Sequence, residues 1–352
     1  MTNKATSMTV KLNWKPGTVT KGLLSVLSDR ARDVVERRYG LSGTDGEGMT
    51  LEAIGQIYGI TRERVRQIEN FATDTIRKSD VYTKAKSAFE DLEDLMAKRG
   101  GLVKEETFLA ELSKDKTTQN HINFLLNIGD SFVRVKEDDH FHHRWTTDEE
   151  TSDKVLSALH SLHESLSYED LVAEAEMLER FSQHLAKDIK EYVSPEQAKH
   201  WLGISKHIGA NPLGEWGLAD SPNIKVRGMR DYAYLVLRNE GKPLHFTEVA
   251  KKIEQMFDRP AHVATTHNEL IKDSDRFVLV GRGLYALSEW GYTNGIVREV
   301  ISSVLKKGPM TKEDLVKEVL KQRQVKENTI YVNLQNAKYF KKDAKGRYAL
   351  VS

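Results

Sequence analysis

The stretch TLEAIGQIYGITRERVRQIE, residues 50–69, decides the fold of the N-terminal part of the chain. Its spacing predicts two short helices separated by a tight turn. Thr50 and Thr61 stand where the helices begin, and a threonine hydroxyl at that position accepts a hydrogen bond from a free backbone N–H. Gly59 lies between the helices, where the chain must turn sharply and glycine adopts the required conformation without strain. The stretch therefore predicts a helix-turn-helix.

Apolar side chains in this stretch recur at the spacing that buries one side of each helix. They are Leu51, Ile54 and Ile57 in the first helix and Val65 and Ile68 in the second. The outward polar side chains near the start of the second helix are Arg62, Glu63, Arg66 and Gln67. Arginine pairs with guanine, glutamine pairs with adenine, and glutamate accepts from the cytosine amine. The second helix is therefore a candidate recognition helix for the DNA major groove.

A longer segment, about residues 23–78, resembles region 4 of the sigma-70 family, the module that binds the −35 promoter element. The resemblance also rests on LSDRARDVVERRYGL at 27–41 and IENFA at 68–72. It implies base contacts for the four polar side chains named above. The DNA-backbone contacts that it implies are Arg30, Arg38, Thr50 and Leu51. Arg64 lies off the base-reading side, and we expect it to contact phosphate or RNA polymerase.

The alternative is that these arginines form a solvated helix surface paired with Glu63 and Glu69. A complete sigma factor also needs a promoter-melting region ahead of this module, with aromatic side chains that capture flipped bases. Only about 20 residues precede Leu23, and Trp14 is their one aromatic residue. We therefore expect no independent promoter opening.

Composition limits the class of protein. The 352 residues suffice for several domains, and 39% hydrophobic with 30% charged residues is typical of folded, soluble modules. The absence of cysteine excludes disulfides, cysteine nucleophiles and cysteine-based zinc fingers. No apolar run approaches membrane-spanning length, and no signal peptide begins the sequence. The expectation is a cytoplasmic, nucleoid-associated bacterial protein.

The net charge of +1 conceals a strong asymmetry along the chain. Residues 1–80 contain 13 Lys or Arg and 10 Asp or Glu, a charge of +3. Residues 81–226 contain 17 and 27, a charge of −10, whereas residues 291–352 contain 13 and 6, a charge of +7. Phosphate attraction therefore favours DNA at the two ends and opposes it in the middle, which is the better candidate for protein contacts.

The chain after residue 80 repeats an order of three helices and a β-hairpin, which is the order of a winged helix. The clearest hairpins are FVLVGRGLYAL at 277–287 and YFKKDAKGRYAL at 339–350, each with a basic turn that contains glycine. A looser copy ends at Trp145, and Trp216 closes a degenerate one. The predicted fold is mainly α with small β-hairpin wings, a helix-turn-helix followed by an array of winged helices. Its predicted parts are a flexible segment at 1–18, the helix-turn-helix at 19–80, and winged helices at 81–150, 151–226, 227–290 and 291–352.

The third repeat resembles the HARE-HTH winged helix over about residues 227–290. The resemblance rests on MRDYAYLVL at 229–237 and GKPLHFTEVA at 241–250. That family includes the N-terminal domain of the delta subunit of bacterial RNA polymerase, although this chain has no long acidic tail. The matching positions are mostly core-forming, so the resemblance implies no individual binding residue.

The last repeat has polar and basic residues on its third helix and wing. The candidate DNA contacts there are Asn328, Thr329, Asn333, Lys341, Lys342, Lys345 and Arg347. Uncharged polar groups on the helix suit contacts with bases or sugars, and lysines on the wing suit phosphates. A merely soluble basic surface is the alternative.

Two groups of residues invite an enzymatic interpretation. The run DDHFHH at 138–143 has metal-capable side chains, but it lacks the separated ligands of a catalytic metal site and is interpreted as a charged wing tip. His160, His163 and Glu164 are neighbours on one amphipathic helix, where a solvated surface explains them. No phosphate-binding glycine loop, Ser/His/Asp signature or paired-carboxylate motif is present. We therefore predict no catalysis, no metal and no cofactor.

The resulting hypothesis is a transcription regulator that binds promoter-like double-stranded DNA, RNA polymerase, or both. In the sigma-70 family, region 4 meets the flap of the polymerase β subunit. One alternative is a polymerase-associated adaptor that no longer reads DNA. The other is a DNA-recognition subunit of a restriction or defence system, because HARE-HTH modules also accompany nucleases.

Overall fold

A computed structural model describes residues 12–42, 46–292, 297–322 and 325–351. The chain is mainly α-helical with small antiparallel sheets, which confirms the predicted fold class. It divides into two compact units. The first holds the described residues up to 210 together with 214–220, and the second holds 211–213 and the described residues from 221 onward. Within the described ranges, no helix combines the length and apolar composition needed to cross a bilayer.

The first unit begins with the helices of the predicted helix-turn-helix module. They are α1 (Pro16–Leu24), α2 (Asp29–Tyr39), α3 (Leu51–Tyr58), α4 (Arg62–Arg77) and α5 (Asp80–Lys84). The hydroxyl of Ser28 caps α2 by accepting from the N–H of Ala31, and α2 ends at Gly40 with φ 62°. Helix α1 starts inside the segment predicted to be flexible, and the Trp14 indole donates to Asp91 at 2.9 Å. The flexible segment is therefore corrected from residue 12 onward, and residues 1–11 lie outside the described residues.

Two winged helices complete the first unit. One comprises α6 (Lys86–Ala97), β1 (Leu102–Lys104), α7 (Glu105–Leu112), α8 (Lys116–Ile128), β2 (Val133–Val135) and β3 (Arg144–Thr146). The next comprises α9 (Glu149–Ser165), β4 (Val172–Ala173), α10 (Glu174–His184), α11 (Lys187–Lys190), α12 (Pro195–Leu202), β5 (Ile208–Ala210) and β6 (Glu215–Leu218).

The second unit holds the other two. The third winged helix comprises α13 (Met229–Glu240), β7 (Leu244–His245), α14 (Phe246–Phe257), α15 (Val263–Lys272), β8 (Phe277–Gly281) and β9 (Leu284–Leu287). The fourth comprises α16 (Val297–Leu305), α17 (Lys312–Gln322), α18 (Glu327–Leu334), β10 (Phe340–Lys342) and β11 (Tyr348–Leu350).

All four repeats share one sheet topology. The last strand lies between the other two in the orders β1-β3-β2, β4-β6-β5 and β7-β9-β8. In the fourth repeat, β11 pairs with β10 and, through Tyr348, with a backbone bridge at Met310. The second winged helix follows this topology even though Pro195 and Pro212 interrupt its sequence pattern.

One hydrophobic core spans residue 80, the predicted boundary between the first two domains. Leu23 and Leu27 from the N-terminal helices belong to the same cluster of buried side chains as Phe124 and Leu125 from α8. The ring of Phe124 also packs edge-on against Tyr39 of α2, with 5.2 Å between ring centroids. The predicted domains 19–80 and 81–150 therefore share a core.

A second, smaller core holds α3 and α4 onto α2. It consists of Val34, Ile54 and Val65, none of which is exposed to solvent. The prediction that Ile57 is buried was wrong, because its side chain is 51% exposed. The partly buried Tyr58 packs against this core instead, since it lies one full turn after Ile54.

Candidate nucleic-acid interface

Local hydrogen bonds fix the start of both helices of the helix-turn-helix. The hydroxyl of Thr50 accepts from the N–H of Ala53 at 3.1 Å, and that of Thr61 accepts from the N–H of Arg64 at 3.2 Å. Gly59 ends α3 in the left-handed conformation, with φ 62°. The predicted caps and turn are therefore present.

Gly55 is a structural requirement of this turn that the sequence interpretation missed. A Cβ atom at this position would lie 2.6 Å from the carbonyl oxygen of Ile60, closer than a carbon can approach. Glycine therefore allows the backbone after the turn to pack directly on α3. The available signal was an isolated glycine within a helical pattern.

The four predicted base-reading side chains lie together within the first two turns of α4. Arg62, Glu63, Arg66 and Gln67 are all exposed, whereas Val65 between them is fully buried. The buried valine fixes the rotation of α4 about its axis. The helix therefore presents its polar side chains to solvent at its N-terminal end.

Neighbouring carboxylates pair with two of these arginines. Arg66 donates two hydrogen bonds to Glu63, at 2.9 and 2.6 Å, and Arg62 lies 3.9 Å from Glu52. The hydrogen bond from Arg66 holds the pKa of Glu63 below its ordinary value, so this carboxylate is an acceptor at neutral pH. Half or more of each paired side chain is exposed. Exposed ion pairs of this kind contribute little to stability, so a base edge can replace them at small cost.

Two of the predicted backbone-contacting arginines have different surroundings. Arg30 is exposed, with its guanidinium 5.2 Å from the centre of the Tyr58 ring. Arg38 is half-buried: its Nη1 donates to the carbonyl of Met49 at 3.1 Å, and its Nε lies 3.7 Å from Glu69. Arg38 therefore holds the segment that enters α3.

The other predicted backbone contacts lie at helix starts. Thr50 is exposed and Leu51 is half-buried, and both lie at the N-terminus of α3, where backbone N–H groups attract phosphate. Arg64 donates to the side-chain carbonyl of Gln67 at 2.9 Å. This bond links Arg64 to the edge of the base-reading set.

The first winged helix forms hydrogen bonds to the helix-turn-helix module through α8. The side-chain amide of Asn120, on α8, donates to the carbonyls of Gly40 and Gly46 at 3.1 and 2.6 Å. These carbonyls flank the loop between α2 and α3. Arg77, at the end of α4, donates to the carbonyl of Ile128 at 2.9 Å. The third helix of the first winged helix, α8, therefore holds the segment before α3 and the end of α4 in place. We call this role a brace for the candidate interface.

A polar network also ties α3 to α2. The Tyr58 hydroxyl donates to the Asp33 carboxylate, which accepts from Arg37 at 2.6 Å. The hydrogen bond from Arg37 is the main cause that lowers the pKa of Asp33 below its ordinary value. The C-terminal end of α3 is therefore fixed to the domain.

The predicted C-terminal contacts divide into two groups. Asn328 and Thr329 are exposed on α18, and the three candidate lysines are exposed on the wing. Asn333 is half-buried and donates to the carbonyl of Thr329 at 2.7 Å, and Arg347 pairs with Asp343 at 2.9 Å. These last two side chains have partners within their own domain, and their contact with DNA stays a prediction.

The two histidine-rich segments come together in the first unit. Nδ1 of His140 lies 3.2 Å from Nε2 of His207, and the ring of His163 stacks on His207 at 4.7 Å. Burial is the main cause that lowers the pKa of His163. Asp138 instead pairs with Arg144 at 3.2 Å. Among the residues that the structure describes, no group of three or more His, Cys, Asp or Glu has the geometry to hold a metal ion.

Comparison with known proteins identifies two parts of the chain. Residues 23–78 match the family model for sigma-70, region 4. Residues 227–290 match the model for the HARE-HTH domain, a helix-turn-helix domain named in part after ASXL and restriction endonucleases. Both resemblances found in the sequence are confirmed.

Curated proteins that are similar to this chain include sigma factors, and the similarity is local. RNA polymerase sigma factor SigA1 of Synechococcus elongatus is 54% identical over 57 residues, which cover 16% of this chain and 14% of that protein. RNA polymerase sigma factor SigA of Microcystis aeruginosa is 53% identical over 57 residues, covering 16% and 13%. The chain thus matches less than a sixth of the length of these relatives. It contains a sigma-70 region 4 domain and a HARE-HTH domain.

Proposed function

We propose that this protein is a DNA-binding transcription regulator whose helix α4 reads −35-like promoter DNA. The observation that carries the proposal is the set of exposed polar side chains at the start of α4, inside a sigma-70 region 4 domain. The start of a recognition helix is the part that reaches base edges in the major groove. In a bacterial cell the protein would act in the cytoplasm, at the nucleoid.

The geometry supports a division of roles. Arg66 and Gln67 supply the donors that distinguish guanine and adenine, and Glu63 supplies an acceptor for the cytosine amine. Arg30 and the start of α3 are the proposed contacts with the DNA backbone, and phosphate contacts there would set the register. Binding would exchange the Glu63–Arg66 pair for base contacts.

RNA polymerase is the second proposed partner. Its support is the local identity to proteins named RNA polymerase sigma factors. The flap of the β subunit is the proposed contact on the polymerase. The protein would modulate initiation by positioning polymerase or by competing for the −35 element.

The replacement Gln67→Ala tests base reading. Because it removes one bidentate group, we expect it to relax base preference by about 1–3 kcal/mol at one position. The measurement is selection of bound sequences from a random duplex library, followed by affinities for single-base variants. Gln183→Ala, at an exposed position of α10, is the matched control and should leave the preference unchanged. A Gln67→Ala protein with the wild-type preference would contradict the proposal.

Charge reversal at Arg62 and Arg66 separates promoter reading from the adaptor alternative. We expect the double variant R62E/R66E to lose both DNA preference and its effect on transcription in a purified polymerase assay. An adaptor that does not read DNA would keep its effect.

The restriction or defence alternative has a separate test. Incubation of the purified protein with plasmid and magnesium should leave the DNA intact. Cleavage of the plasmid would contradict the proposed function and favour the restriction or defence alternative.

A further inference from the structure

The third helix is more deeply packed in the first two winged helices than in the fourth. In the first repeat, α8 buries side chains on several sides, among them Asn120, Phe124 and Leu126. In the second, the fully buried Trp201 of α12 lies against Gly100 of the first repeat, so α12 packs between the two repeats. Neither helix offers a complete surface to DNA.

The fourth repeat differs from the first two, because α18 buries only the side that holds it to its own domain. Helix α15 of the third repeat is similarly exposed, with Thr266 and Leu270 as its buried side chains. The buried side chains of α18 are Ile330 and Leu334. Asn328, Thr329 and Val332 are exposed, and Val332 is 57% exposed. Helix α18 follows α17 as the second helix of a helix-turn-helix, the position that enters the major groove in such motifs.

The wing beside α18 is basic. Lys338, Lys341, Lys342 and Lys345 are all exposed. Within the described part of the chain, no carboxylate pairs with Lys338, Lys342 or Lys345. The nearest acidic residue in sequence is Asp343, and its carboxylate is occupied by bonds from the backbone N–H groups of 345 and 347 and from the Arg347 side chain. These bonds also lower the pKa of Asp343, the one from the Arg347 backbone most strongly.

We propose that the fourth winged helix is a second DNA-binding site, which binds the phosphate backbone without reading sequence. In this proposal, Asn328 and Thr329 lie at the major groove of the DNA. The phosphates are bound by Lys338, Lys341, Lys342 and Lys345. The surrounding sequence supports this assignment, because residues 291–352 carry a charge of +7 whereas residues 81–226 carry −10. Lysine is a flexible point charge, so its contacts attract DNA of any sequence.

The test uses the full chain and two duplexes, one −35-like and one shuffled. We expect the triple variant K338Q/K342Q/K345Q to bind the shuffled duplex about tenfold or more weakly at low salt. The slope of log affinity against log salt should fall by about 2.7, since each lost phosphate contact removes about 0.9. The preference for the −35-like duplex over the shuffled one should persist.

The matched control is K187Q/K190Q/K225Q, which removes the same charge at exposed positions outside the wing. It should reduce binding far less. Unchanged binding by the wing variant, or an equal loss in both triple variants, would overturn the inference. Absence of any sequence preference in wild type, with the wing effect intact, would contradict the proposed function and leave the second site standing. Circular dichroism melting of both variants checks that the exposed substitutions leave the fold unchanged.

Discussion

Helices α8 and α18 occupy the same place in two domains of one topology, and their roles are opposite. Helix α8 buries Phe124 and Leu125 against the N-terminal helices, and its Asn120 bonds to the loop ahead of α3. Helix α18 contacts its own domain mainly through Ile330 and Leu334 and leaves Asn328, Thr329 and Val332 exposed. Helix α8 therefore acts as a brace for the helix-turn-helix, whereas α18 leaves one side exposed to solvent.

The difference teaches that a winged-helix topology does not by itself make a nucleic-acid site. The side chains of the third helix decide whether it binds another domain or remains open. In α8, the run Phe124–Leu126 is apolar at three successive positions, so more than one side of the helix must be buried. In α18, apolar residues at the buried positions stand one turn apart, as in an ordinary surface helix.

The largest expected effect comes from shortening a buried side chain of α8. Phe124→Ala removes a ring that is fully buried and packs against Tyr39. We expect the free energy of unfolding of the first unit to fall by about 3–5 kcal/mol. Val332→Ala, at an exposed position of α18, should change the free energy of unfolding of the fourth winged helix by less than about 0.5 kcal/mol. Urea unfolding monitored by far-ultraviolet circular dichroism measures both, and similar losses would remove the distinction between the two helices.

A matched pair of asparagines gives a smaller effect. Asn120→Ala leaves the carbonyls of Gly40 and Gly46 without their amide donor, which should cost about 1–3 kcal/mol of stability. It should also weaken binding to −35-like DNA, because Asn120 positions the segment that leads into α3. Asn328→Ala should leave stability unchanged and reduce binding to both the −35-like and the shuffled duplex. Thermal melting measures stability and fluorescence anisotropy measures binding. A stable Asn120→Ala protein together with a destabilised Asn328→Ala protein would contradict the roles assigned to α8 and α18.

The smallest effect is a dependence on pH that involves α8 and not α18. Burial is the main cause that lowers the pKa of His121 on α8, nearby Lys21 lowers it further, and Asp115 opposes both. The unfolded chain therefore takes up a proton more readily than the folded chain. Stability is full above about pH 6.5, the ordinary value, and is lost as the pH falls from there through the lower folded value.

The fourth winged helix has no comparable pH dependence to expect, because residues 297–352 contain no histidine. The test therefore concerns His121 on α8. We expect His121→Asn to melt with a shallower loss of stability between about pH 7.5 and 5.5 than wild type. A variant with the same loss as wild type would assign the pH dependence to other groups, such as the partly buried His163.

The local features of the fold could be predicted from the sequence. The caps at Thr50 and Thr61 and the turn at Gly59 depend on residues a few positions apart, and the hairpins follow alternation and glycine turns. The pairing of Arg347 with Asp343 is also local, and the proposed contact of that arginine with DNA stays a prediction.

The features that the sequence did not predict are long-range. Asn120 bonds to carbonyls 74 and 80 residues away, and no local pattern marks such a partner. The exposure of Ile57 was missed because the side chain that packs on the small core, Tyr58, is next to it in sequence. The polar residues at the start of α4 were placed correctly on the surface, and their contacts with DNA stay a prediction.

The most direct test of the central claim is fluorescence anisotropy of the full-length protein with a −35-like duplex and a shuffled duplex, across a salt series. The proposed base contacts predict a preference for the −35-like duplex that persists at near-physiological salt, because each good base contact discriminates by about 1–3 kcal/mol. Binding that is equal for both duplexes and disappears as salt increases would contradict the claim, since phosphate attraction alone would then account for it.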